Sequence, residues 1–250
     1  GRTIHNTFRF NKDGRMIELR NISKSYDDLG VLNNLSFNFH AGEFVCICGP
    51  SGIGKTTLLQ LIAGLEQPDS GSLHYQSHKL AYVFQEPRLI PWCNVIENIE
   101  IGLYALMPRD KASRRKTCNQ LALQVGLDGF QHYYPAQLSG GMKQRVSLAR
   151  AFAIDPDILL LDEPFSSLND ELREDLCRYL IDLLAQKPRT SIMVTHNIDE
   201  AVRLADRIIF LQHRPCKIVL EHNIDKAPAD RNWKYRMEQI ELIQSLTKTD

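Results

Sequence analysis

Residues 49–57 read Gly49-Pro50-Ser51-Gly52-Ile53-Gly54-Lys55-Thr56-Thr57, set between an apolar run, Phe44 to Cys48, and a segment with Leu58, Leu61, Ile62 and Leu65 at helical spacing. The apolar run reads as a buried strand, and the periodic segment as an amphipathic helix ending near Gly64, with Pro68 just beyond. Between them, Gly49, Gly52 and Gly54 offer the backbone angles that a tight anion-cradling loop needs. The amides of the loop and of the helix N-terminus then point at an anion and present partial positive charge to it. On this reading Lys55 reaches the β- and γ-phosphates of a nucleotide, and the Thr56 hydroxyl is a ligand for Mg²⁺. The four fixed positions of the pattern arise by chance in roughly one in a hundred chains of this length. Strand before and helix after make an accident rarer still.

The rest of the composition narrows the setting. A chain of 250 residues suits one large α/β domain, or a core with a lobe. Thirty basic side chains balance thirty acidic ones, so no global positive field recruits nucleic acid. No apolar run approaches the ~18 residues that cross a bilayer, and Gly1 to Asn6 show no secretory h-region. The six cysteines have no tandem C-x-x-C spacing. Cys46 and Cys48 alternate along the strand before the loop as small hydrophobes, and a cytosolic chain with reduced thiols is expected. Met16 begins a plausible first strand, so residues 1–15 are expected to be a leader or a frayed extension.

Short strands are expected over Met16 to Asn21, Leu32 to Phe39 and Glu43 to Cys48, then Leu73 to Tyr75 and Leu80 to Phe84. From about 87 to 137 the character turns helical. Val95, Ile96, Ile99 and Leu103 share a face, and a second helix runs from Ala112 to Val125, with Arg114, Arg115 and Lys116 expected on a solvated side. After 140 helices alternate with apolar runs: a helix through Val146, Ala149 and Ala153, strand Ile158 to Leu161, a helix through Leu172, Leu176, Leu180 and Leu183, and strand Thr190 to Thr195. A short helix capped by Asn197 with Glu200 three residues on follows, then strand Arg207 to Gln212. Such alternation means a mostly parallel sheet with right-handed crossovers. Arg231 to Thr247 reads as an amphipathic helix with Trp233, Met237, Ile240 and Ile243 on one face.

Residues 158–164 read Ile-Leu-Leu-Leu-Asp-Glu-Pro. An acid at the C-terminal end of a buried strand lies where open α/β sheets bind ligands. Asp162 is placed to hold Mg²⁺, and Glu163 to polarise an attacking water as general base. Upstream, Leu138-Ser139-Gly140-Gly141-Met142-Lys143-Gln144-Arg145 precedes a helix. Ser139 looks like its N-cap, which makes a second anion-binding helix terminus. Two such elements in one chain suggest that the second serves a partner's nucleotide.

Taken together, these motifs resemble the ATP-binding cassette family, the nucleotide-binding subunits of ABC transporters, in family order across residues 16 to about 221. The resemblance implies a P-loop NTPase core with a mostly parallel sheet, an N-terminal antiparallel β subdomain and a helical subdomain at about 87–150, within an ATPase domain spanning 16–250. Gly49 to Thr57, with Pro50, Ser51, Ile53 and Thr57 included, resembles the Walker A loop, and Asp162-Glu163 the Walker B aspartate and catalytic glutamate. Ser139, Gly140, Gly141 and Gln144 fall in the signature motif, which closes over the other subunit's ATP. Gln85 resembles the Q-loop glutamine that touches Mg²⁺ and the attacking water. His196 resembles the switch histidine that contacts the γ-phosphate, and Tyr26 the aromatic that stacks on adenine. Catalysis is thus expected from Lys55, Gln85, Glu163 and His196, with Mg²⁺ on Thr56, Gln85 and Asp162. One departure stands out: the family usually has aspartate where Asn169 stands in the D-loop.

Phe84 to Trp92 and Met193 to Asp206 resemble importers of the nitrate, sulfonate and taurine class. In that class the residues after the glutamine receive a helix of the membrane subunit, here Arg88, Leu89, Pro91 and Trp92. The resemblance implies an ATPase on the cytoplasmic face of the membrane, dimeric with ATP, serving transmembrane permeases and indirectly an extracytoplasmic solute-binding protein. Two alternatives stay open: a soluble ATPase of this type without a membrane partner, and a regulatory module that closes on ATP without turnover.

Overall fold

The computed structural model describes residues 14–248. Two sheets organise it. The smaller has the order β2-β1-β4 and is antiparallel, built from β1 (Arg15–Tyr26), β2 (Leu29–His40) and β4 (Ser70–Tyr75). Alternation decides its inner face, where Ile17, Leu19, Leu35, Phe37 and Phe39 are buried. The first strand runs past its expected end at Asn21. That residue is left-handed (φ 53°) and marks a register shift, and its amide donates to Ser36 Oγ at 2.8 Å. A bulge carries the same residue signal as a turn. β1 also begins at Arg15, inside the expected extension, the rest of which lies outside the described residues except Gly14.

The larger sheet has the order β5-β6-β7-β3-β8-β9. Its members are β3 (Phe44–Cys48), β5 (Leu80–Val83), β6 (Ile158–Asp162), β7 (Thr190–Thr195), β8 (Arg207–Gln212) and β9 (Lys217–Asn223). All pairings are parallel except β8 with β9. Every residue of β3, β6 and β7 is buried, as expected of strands covered on both faces. Val45, Ile47, Leu160 and Val194 pack toward the phosphate-loop helix α1 (Lys55–Ile62) and the small sheet. Cys46, Cys48, Leu161 and Met193 pack on the opposite side, in the cluster that includes the helical lobe. Five of the six thiols are buried and all are free, and burial pushes Cys46 and Cys48 up, Cys48 to about 12.

The lobe holds α2 (Val95–Glu100), α3 (Leu103–Leu106), α4 (Lys111–Gln124) and α5 (Gly140–Ala153). Val95, Ile96, Ile99 and Leu103 are buried together as expected, although the helix breaks at Ile101-Gly102. Arg114 corrects the expectation of a solvated basic face. It is buried against Glu100, itself 1% exposed, with Nε 2.9 Å from Oε1, while Arg115 takes the other oxygen at 3.1 Å. Lys116 alone of the three is exposed. Next come α6 (Asp170–Gln186), α7 (Ile198–Leu204) and α8 (Trp233–Thr247). On α8 the buried residues are Tyr235 and Ile243, so Trp233 stands outside the expected face, largely exposed. Among the described residues no helix is long and apolar enough to cross a membrane.

Candidate nucleotide-binding site

β3 ends in the phosphate loop, and two glycines there have no alternative. A Cβ on Gly49 (φ 152°) would lie 2.4 Å from the Leu211 carbonyl oxygen, and one on Gly54 (φ 110°) 2.6 Å from Val31 Cγ1. The loop therefore lies directly on β8 and β2. From the first turn of α1, Lys55 folds back until Nζ donates to the carbonyls of Gly49 and Pro50, both at 2.9 Å. Its ammonium is nearly fully buried, which pushes its pKa down, and Glu163 Oε1 at 3.7 Å opposes that shift. A buried cation bonded directly only to neutral carbonyls suits a phosphate partner.

Asp162 closes β6 with both carboxylate oxygens occupied. Thr56 Oγ1 donates to Oδ1 at 2.9 Å and Tyr82 OH to Oδ2 at 2.8 Å. Burial raises its pKa, while the two hydroxyl donors pull it back by favouring the charged form. Glu163 follows in a left-handed conformation (φ 42°), its amide still donating to Val194 O at 3.0 Å. That turn sends the side chain toward Lys55 on one side and His196 on the other, where Oε2 lies 3.0 Å from Nδ1. His196 leaves the end of β7 half-exposed. Gln85 donates to Ser166 Oγ at 3.2 Å, and Ser166 Oγ donates to Glu163 O at 3.0 Å. The glutamine thus reaches the backbone of Glu163 through one hydroxyl.

An open cleft of about 390 Å³ brings together Tyr26, Ser51, Gly52, Gly54, Lys55, Thr56, Thr57, Gln85 and Glu163. Val31 also lines it, and neither Val31 nor Tyr82 stands in a motif. Tyr26 offers an exposed ring at the rim, with Lys24 Nζ 5.4 Å from its centroid.

The signature segment stands apart from this cleft. Ser139 caps α5, accepting from Met142 N at 3.3 Å, and both Ser139 and Gly140 face solvent. The next residues of the segment are less open. Gly141 is buried, with Leu172 3.2 Å from where its Cβ would be. Gln144 is 1% exposed and points inward, Nε2 lying 3.5 Å from Phe84 O among Val83, Leu161 and Phe165. Helical periodicity turns that position into the lobe. Asn169 caps α6, accepting from Leu172 N at 3.0 Å. Glu200 forms no capping box; it accepts from Thr195 Oγ1 and forms an ion pair with Arg173 instead.

The donor set suits Mg²⁺, a hard cation that takes oxygen ligands and keeps several waters. Thr56 and Asp162 supply oxygens side by side, and among the described residues no cluster of three or more His, Cys, Asp or Glu forms a closed metal cage. The segment after Gln85 is held from behind. Asn98, fully buried, bonds Ile90 and the carbonyls of Cys93 and Asn94, while Arg150 bonds the carbonyls of Pro87 and Arg88. So braced, the loop exposes Arg88, Pro91 and Trp92, the last 78% exposed, whereas Leu89 packs against the core.

A family model described as ABC transporter matches residues 32–166, more than half of the chain. The sulfate/thiosulfate import ATP-binding protein CysA of Pectobacterium atrosepticum is 42% identical over 209 residues, covering 78% of this chain and 63% of the relative. Its Escherichia coli K12 counterpart is 41% identical over 232 residues, covering 87% and 61%. The chain thus spans under two thirds of the length of these curated relatives. A dimeric ATP-binding cassette, MJ0796, solved in a post-hydrolysis state bound to ADP and Pi, superposes with a TM-score of 0.75 at 32% identity, covering 85% of this chain and all of that one. The Clostridium perfringens protein cbiO1 shares the fold at a TM-score of 0.76 and 23% identity.

Proposed function

The chain belongs to the ABC transporter family, and on that premise we propose that it is the ATP-hydrolysing subunit of an importer, peripheral on the cytoplasmic face of a membrane and working as a pair of identical chains. One observation carries this reading: Glu163 is held at the mouth of the phosphate loop between Lys55 Nζ at 3.7 Å and His196 Nδ1 at 3.0 Å. Lys55 exchanges its carbonyl partners for the outer phosphates of ATP. Glu163 takes the proton of the attacking water, and His196 orients that carboxylate and meets the γ-phosphate. Tyr26 stacks on adenine. Thr56 and Asp162 would hold Mg²⁺, with Gln85 beside them, and the ion when bound supplies charge against the phosphate oxygens.

Ser139 and Gly140 lie outside the cleft of their own chain. Their free helix terminus serves the nucleotide of a second copy, so each of two sites pairs one chain's phosphate loop with the other's Ser139. Closure then depends on ATP and is passed to the permease through the loop bearing Arg88, Pro91 and Trp92. The solute is a small oxyanion or sulfonate. The residues after Gln85 and after Met193 favour the nitrate, sulfonate and taurine class, and the identity to sulfate/thiosulfate import proteins favours inorganic sulfate as a second reading.

Steady-state phosphate release tests the activity. Glu163→Gln is expected to slow it by about 10²–10⁴-fold, the span typical of a lost general base, while ATP still binds. Equal rates for the two forms would refute hydrolysis at this site.

A further inference from the structure

A second cavity, of about 360 Å³, opens between α6, α7 and the segment leading into α8. Four guanidiniums line it, those of Arg178, Arg203, Arg231 and Arg236, against one carboxylate, Glu174. Arg231 is the telling one. Its side chain is 1% exposed, with Nε donating to Lys226 O at 2.8 Å and Nη1 to Val202 O at 3.0 Å. Nη2 is buried and donates to nothing, with Asp206 Oδ1 no nearer than 3.9 Å. Arg236 Nε is also buried without a hydrogen bond, although its Nη1 lies 3.2 Å from Asp199. Buried donors of this kind are rare, and each calls for an explanation.

The acids around the cavity are accounted for. Arg203 pairs with Glu174 at 2.9 Å and Asp199 at 2.7 Å, and Arg178 with Asp175 at 2.7 Å. Asp175, Asp199 and Asp206 do not line the space. The wall of the cavity is thus rich in guanidiniums, groups that match planar or tetrahedral oxyanions through paired N–H donors.

We infer that this cavity binds a phosphate- or sulfate-type dianion, free or carried on a small metabolite, through Arg231 and Arg236 with Arg178 at the mouth. Its position gives occupancy a consequence. α6 starts at the D-loop cap Asn169 and α7 just after His196, so a bound anion braces both helices against the C-terminal segment and ties the nucleotide site to an effector.

Isothermal titration of the full chain tests this, with inorganic sulfate, inorganic phosphate and glycerol 3-phosphate as probes at an ionic strength fixed with sodium chloride. A Lys55→Ala background weakens the phosphate loop's own claim on these anions. At least one probe is expected to bind saturably, and Arg178→Glu and Arg236→Gln are each expected to weaken it by about tenfold or more. Both sites are at least partly exposed, and circular dichroism melting confirms that the variants fold, a safeguard that Arg231→Met lacks. Tighter binding of the ester than of the free ions assigns a phosphorylated metabolite, and the reverse a free oxyanion. No saturable binding by any probe, or binding that both variants leave unchanged, would overturn the inference.

Discussion

The phosphate loop and the start of α5 are both glycine-flanked helix N-termini, yet one is closed and the other open. Around the loop each functional group already has a partner: Lys55 has two carbonyls, and Asp162 has Thr56 and Tyr82. At the other end Ser139 Oγ accepts from the Met142 amide of its own helix, and across the lobe Trp92 is 78% exposed. On the proposed function, Lys55 and Asp162, which serve the chain's own nucleotide, are buried and pre-paired, which keeps their geometry fixed before ATP arrives. Ser139 and Trp92, proposed to meet another chain, sit on braced segments and face solvent in front.

The largest effect that would sharpen this contrast is at Trp92. Trp92→Ala should leave phosphate release by the isolated subunit unchanged and abolish ATP-driven uptake by vesicles carrying the whole transporter. Unimpaired uptake would remove Trp92 from the permease contact. A smaller effect is expected on the closed side. Tyr82→Phe deletes a hydrogen bond that favours charged Asp162, a bond type worth roughly 1.5–3 kcal/mol. The aspartate's raised pKa should then rise further, so the Mg²⁺ concentration for half-maximal turnover increases and the acid limb of the rate profile moves to higher pH. An unchanged Mg²⁺ requirement would place Tyr82 outside the site.

The smallest effect lies away from both regions, where Asp155 ends the turn after α5. The hydrogen bond from Lys187, with Arg189 and Lys79 adding to it, lowers its pKa to about 2. A carboxylate with a depressed folded pKa stabilises the fold above its unfolded value and loses that contribution as pH falls through the folded one. Asp155 is half-exposed, so the difference between wild type and Asp155→Asn should be about 1 kcal/mol or less near neutral pH. Urea unfolding should show that difference vanishing between pH ~4 and ~2. A difference constant with pH would mean that charge is not its source.

Much of the closed side was legible because its signals are local. Loop glycines, the lysine after them and an acid at a strand end are neighbours in sequence, and strands β7 and β8 match their expected bounds. What escaped depends on contacts across the sheet. Tyr82 reaches Asp162 because β5 lies parallel to β6, with Tyr82 opposite Leu160, a register no local pattern reveals. Only a tyrosine in an otherwise apolar strand hinted that its hydroxyl needed a partner. Strand β9 was missed since its half-exposed face lacks the apolar run of its neighbours. Arg114 was misplaced because polar side chains on a helix read as solvated until a buried partner, here Glu100, is known.

The central claim is that the open terminus at Ser139 completes the closed site of a second copy. Light scattering on the Glu163→Gln chain, with Mg²⁺ and ATP, tests it most directly. The mass should double on adding ATP, and Ser139→Arg in the same background should return it to that of one chain. A mass that stays at one chain at every ATP concentration, or a dimer that Ser139→Arg leaves intact, would contradict the account.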